Sequence, residues 1–115
     1  GKAKLPSAAE VYKMDLYMKL DYSTIDDLGS SGKELYKSLR NIILVRLLAS
    51  GIVDNVLLNR IVKSIFGAEL IHKLKSDTVS RKEKRHVLQI IKLLEYLTSE
   101  ELRNQKWEKK VILNR

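Results

Sequence analysis

Cysteine is absent from this chain, and proline, tryptophan and phenylalanine each occur once. Without a thiol there is no disulfide scaffold, no thiolate metal site, no iron–sulfur cluster and no cysteine nucleophile. Glycine is also sparse at five residues, while 44% of the chain is hydrophobic. A sequence this apolar and this poor in breakers is not a disordered tail. No run approaches the roughly 18 apolar residues of a membrane span, and the opening GKAKLPSAAE has no signal-like apolar stretch. A soluble, intracellular protein without a membrane partner is therefore expected. Alternating strand patterns and Asn-Gly or Asp-Gly hairpin turns are missing as well, as are internal repeats and low-complexity tracts.

What is present is helical punctuation across 115 residues, a length that suits one domain with its own core. The leading Gly1 is compatible with a domain excised from a longer chain. Four times a Ser or Thr stands three positions before Glu, the pattern of a reciprocal capping box. Ser7 with Glu10 opens a first helix to about Leu20, with Val11, Met14 and Met18 on one face and Tyr12, Leu16 and Leu20 beside it. Two apolar faces lead to an expectation of substantial burial. A flexible connector follows at about residues 21–32. Ser31 with Glu34 starts a second helix, stopped by Gly51, whose stripe is Leu35, Leu39, Ile42, Ile43 and Leu47. Its segment Ile42 to Ala49 is apolar nearly all round and fits the central helix of a bundle.

Asp54 or Asn55 caps a third helix through Phe66, with Leu57, Leu58, Ile61, Val62 and Ile65 inward and Gly67 as terminator. A short fourth helix, Ala68 to about Lys75, groups Leu70, Ile71 and Leu74. Ser80 with Glu83 starts a fifth, whose core face is Val87, Ile90, Ile91, Leu94 and Leu97. Thr98 with Glu101 opens a sixth that carries Leu102, Trp107 and Val111. The expectation is an all-α fold: a compact bundle of five to six helices.

The charge is the strongest global signal: 22 Lys plus Arg against 14 Asp plus Glu, a net of +8. It is uneven. Up to Ile71 there are 10 basic and 8 acidic residues, and from His72 onward 12 and 6. The densest stretch carries Lys73, Lys75, Arg81, Lys82, Lys84, Arg85 and Lys92 against Asp77 and Glu83 only. Arg81, Arg85, Gln89 and Lys92 follow the i, i+4, i+8, i+11 spacing that falls on one side of a helix. Such a stripe suits the phosphates of DNA or RNA, because each neutralised phosphate releases counterions. The bland alternative is an ordinary solvated face.

Enzymatic motifs fail on spacing. GSSGKE at Gly29 to Glu34 has too few residues between its glycines, and Glu34 stands where a phosphate-binding loop needs Ser or Thr. Asp21, Asp26 and Asp27 lack the spacing and central glycine of a calcium loop. His72 and His86 are fourteen positions apart, with no pattern for zinc or a catalytic triad. The helix pair around Gly51 makes a poor helix-turn-helix, since its second helix must bury Leu57, Leu58, Ile61 and Val62. No catalytic, cofactor or metal site is expected. The reading is a non-catalytic, nucleic-acid-associated domain, an accessory component of a replication- or transcription-type assembly. The alternative is a protein-interaction module, such as a subunit of a viral polymerase complex, with an acidic protein partner. Its surface would use Tyr12, Tyr17 and Trp107, the last flanked by Lys106, Lys109 and Lys110.

Overall fold

The computed structural model describes residues 8–21 and 29–104, and among these every regular element is an α-helix. There are four: α1 (Ala8–Asp21), α2 (Gly32–Ala49), α3 (Asn55–Lys75) and α4 (Arg81–Asn104). Local chemistry sets most of their ends. Ser31 and Glu34 form the reciprocal cap of α2, Asp54 Oδ1 accepts from the Leu57 N–H at 3.0 Å to start α3, and Ser80 and Glu83 cap α4. GSSGKE is thus the entry to α2. At the other end of α2, Gly51 adopts φ 77°, which lets Ile52 N–H reach the Leu47 carbonyl at 2.8 Å. Asp77, at φ 57°, closes α3 in the same way, with Thr78 N–H bonded to the Lys73 carbonyl at 2.9 Å.

The bundle has four helices where five to six are expected from the punctuation. Two merged pairs account for the difference. Thr98 does not open a helix: it is 1% exposed, and its Oγ1 donates to the Leu94 carbonyl one turn back and accepts from Arg46 Nη1 at 3.1 Å. Its hydroxyl serves packing between helices, so α4 continues through it. Gly67 does interrupt α3, at φ 83° and ψ 160°, but the helix resumes at once and the break is a kink within one element. The first capping box, Ser7 with Glu10, residues 22–28 of the connector and the stretch carrying Trp107 and Val111 lie outside the described side chains.

α2 is the hub and packs against each of the other three helices. Leu35, Leu39, Ile42, Ile43, Val45 and Leu47 are buried around it, which explains its apolar sequence. α1 runs antiparallel to it: the Tyr12 hydroxyl donates to the Leu48 carbonyl, and Asn41 Nδ2 donates to the Lys19 carbonyl at 2.6 Å. α4 runs alongside α2, tied at one end by Gly32 N–H to Asp77 Oδ1 (2.7 Å) and at the other by Arg46 to Glu101 (2.7 Å). Leu58, Val62, Ile71 and Leu74 from α3 and Val87, Leu88, Ile91 and Leu102 from α4 complete the core. Two expectations need correction. α1 buries one side only, Leu16 and Leu20, and leaves Val11, Met14 and Met18 more than half exposed. On α4 the core face is turned by one position, so that Leu88 is buried while Leu97 is 42% exposed.

Candidate nucleic-acid interface

The basic run is divided by the fold into groups that do different things. Arg81, Lys82, Arg85, Gln89 and Lys92 are all exposed on α4, on the side away from Val87, Ile91, Thr98 and Leu102. Helical spacing puts them along one face for about 16 Å, at 1.5 Å of rise per residue. Arg81, Lys82 and Arg85 form no ion pair among the described residues. Lys84 is half-buried and, one heptad before Ile91, falls on the core side of α4 rather than on this face.

Lys73 belongs to a different arrangement. Its Nζ lies 3.2 Å from Glu83 Oε2 and 3.8 Å from Glu69 Oε1, so its charge is neutralised inside the α3–α4 turn. The hydrogen bond and charge of Glu83, with help from Glu69, push the Lys73 ammonium above its ordinary value. Glu83 in turn is held below the usual carboxylate range, first by its hydrogen bonds with the Ser80 backbone and hydroxyl and then by Lys73. This cluster is a clamp: it fixes the first turn of α4 against α3 and leaves Arg81 and Lys82 outside. Lys75 leaves the α4 face altogether, with its Nζ 4.8 Å from the centre of the Tyr36 ring on α2.

The tyrosines of α1 are half-buried, and their hydroxyls bond inward, Tyr12 to Leu48 and Tyr17 to the Ser99 carbonyl at 3.4 Å. Burial, and then the charge of Asp15, raise the Tyr12 phenol above its ordinary value. The apolar surface that α1 offers is instead Val11, Met14 and Met18, at 52%, 60% and 55% exposure. Trp107 lies outside the described residues. His72 and His86 are both exposed, His86 with its ring edge-on to Phe66 at 6.2 Å. Among the described residues no group of three or more His, Asp or Glu is placed to hold a metal ion. No helix there is long and apolar enough to cross a membrane.

One residue on this face escapes a reading based on charge. Tyr96 is 63% exposed and lies one turn beyond Lys92 on the same side of α4. Its spacing, four positions after Lys92, is the signal that places it there. Arg103 extends the line further, paired to Glu100 at 3.1 Å. No protein-family model, curated protein sequence or solved structure matches this chain. Among the described residues the fold is an all-α arrangement of four helices.

Proposed function

We propose that this chain acts without catalysis as a small basic helical domain that lies against the phosphate backbone of nucleic acid through α4. The observation that supports this reading best is the exposed row of Arg81, Lys82, Arg85, Gln89 and Lys92, three of whose cations have no carboxylate partner among the described residues. A row about 16 Å long is enough to meet several neighbouring phosphates of a nucleic-acid backbone. Contacts of this kind position a protein and carry no sequence information, so specificity comes from shape or from a partner in a replication- or transcription-type assembly. Reversal of the row in the variant Arg81→Glu, Arg85→Glu, Lys92→Glu tests it. Retention on DNA or RNA at low salt is expected to disappear with helicity unchanged, and undiminished retention would overturn the reading.

A second reading rests on Val11, Met14 and Met18. Three large apolar side chains at i, i+3 and i+7, each more than half exposed, resemble the anchor pattern of a helix that meets a partner. Under this reading the domain is an interaction module, and the basic face of α4 meets an acidic protein surface. Co-purification of one protein that survives nuclease treatment and is lost in Met14→Glu supports it over the first. Loss of all partners on nuclease treatment favours nucleic acid.

A further inference from the structure

We infer that the groove between α2 and α3 at Tyr36 is a second anion site, separate from the α4 face, that takes the phosphate of a small phosphomonoester of nucleotide size. The groove has a volume of about 390 Å³, within the range of small-ligand sites. Val62 and Ile71 form its apolar floor, and Asn59, Lys63, His72 and Lys75 stand around Tyr36. No carboxylate lines it. Neither Lys63 nor His72 makes an ion pair among the described residues. The neighbouring Lys73, on the α4 side of the same helix, is compensated by two glutamates. α3 thus neutralises its cation toward α4, while Lys63 toward the groove has no ion-pair partner among the described residues.

The kink at Gly67 is what assembles the groove. Lys63 and His72 are nine residues apart, about two and a half turns of a regular helix, which would put them on opposite sides of it. The same count separates Val62 from Ile71, both of them buried. A straight α3 could not bury both or bring both Lys63 and His72 to one groove. At φ 83° and ψ 160°, a conformation almost confined to glycine, Gly67 rephases the second half of the helix by about half a turn. The two halves then present Asn59 and Lys63, and His72 and Lys75, on the same side.

The chemistry of the rim selects a phosphate. Two ammonium groups match the two charges of a phosphomonoester, and Asn59 and His72 add neutral donors to its remaining oxygens. Lys75 is already held by its position over the Tyr36 ring, which reduces the side-chain freedom it loses when an anion arrives. On α2, Lys33 and Arg40 lie one turn to either side of Tyr36 and add to the positive field without entering the groove.

Calorimetric titration of the whole chain with adenosine 5′-monophosphate, adenosine and inorganic phosphate tests the inference. The monophosphate is expected to bind, inorganic phosphate to compete with it, and adenosine to bind at least tenfold more weakly. Lys63→Glu, a change at an exposed site, is expected to weaken the monophosphate at least tenfold with helicity retained. The α4 triple reversal is expected to leave it within about twofold, a difference well under 1 kcal/mol. Equal binding of adenosine and its monophosphate, no binding at millimolar concentration, or an unaffected Lys63→Glu would each overturn the site. Because the α4 variant is measured in parallel, loss of nucleic-acid binding there and loss of phosphate binding here are read separately.

Discussion

Gly32 offers a substitution for which a local rule and the tertiary structure give opposite answers. Alanine is the better helix former, by up to about 1 kcal/mol in a helix interior and less at a first position such as this. A Cβ at Gly32 would, however, stand 2.6 Å from the Leu74 carbonyl oxygen and 3.2 Å from Asp77 Oδ1. Both belong to the end of α3, whose backbone is held by its own cap, so the start of α2 would have to move away. That movement stretches the 2.7 Å bond from Gly32 N–H to the Asp77 carboxylate and loosens Leu35 and Leu74, which are 1% and 0% exposed. Overpacking of this kind costs about 1–3 kcal/mol, and weakening a hydrogen bond to a charged group adds about 1 kcal/mol. Against a gain below 1 kcal/mol, Gly32→Ala is expected to lose about 1–3 kcal/mol net. For a chain of this size that lowers the thermal midpoint by about 4–12 °C. Urea unfolding followed by circular dichroism should show a lower midpoint with an unchanged slope. A variant as stable as the parent, or more so, would refute the close approach of α2 to the α3–α4 turn.

Gly67→Ala meets open space but a conformation that alanine resists, so a loss of about 1–3 kcal/mol is expected, together with weaker binding of adenosine monophosphate in the same titration. Arg46→Ala removes a partly exposed ion pair to Glu101 and a bond to Thr98, whose hydroxyl still donates to Leu94, so a loss near 1 kcal/mol is expected. Urea titrations at low and high salt should show that loss shrinking as salt rises. Glu83 sits below the ordinary carboxylate range, so its contribution is present at neutral pH and is lost as pH falls through and below that range. The gap in thermal midpoint between the parent and Glu83→Ala should therefore narrow as pH falls through that range, down to the cap that a protonated Glu83 still makes. Glu83→Gln, which keeps the cap but not the charge, should fall between them near neutrality.

Helix ends and the central helix were legible in the sequence because they rest on local chemistry. The caps at Ser31, Asp54 and Ser80 and the stop at Gly51 each involve residues a few positions apart, and the all-apolar run of α2 already implied neighbours on several sides; Gly67 breaks the helix as its sequence implies, but α3 resumes beyond it. Thr98 with Glu101 has the same local pattern, yet a partner 52 residues earlier, Arg46, claims the threonine hydroxyl. Tyr12 and Tyr17 depart from the expected surface role for a similar reason: their hydroxyls find carbonyls on α2 and α4 that no local spacing indicates. The α4 stripe was legible because it is a property of a single helix. The groove at Tyr36 was not, since it combines α2 with two halves of α3 that only the backbone of Gly67 brings into phase. Lys73 and Lys75, two positions apart in a basic run, end in a glutamate clamp and over an aromatic ring respectively.

Nucleic-acid binding by this domain requires that the exposed face of α4 neutralise phosphates. The most direct measurement is the affinity for a duplex oligonucleotide across a series of salt concentrations. If Arg81, Lys82, Arg85 and Lys92 each neutralise one phosphate, the logarithm of the binding constant falls against the logarithm of salt with a slope of about −3.6. The variant Arg81→Glu, Arg85→Glu, Lys92→Glu should show no measurable binding at any salt in the series. A slope near zero, or a variant that binds with the parent's affinity and slope, would contradict it.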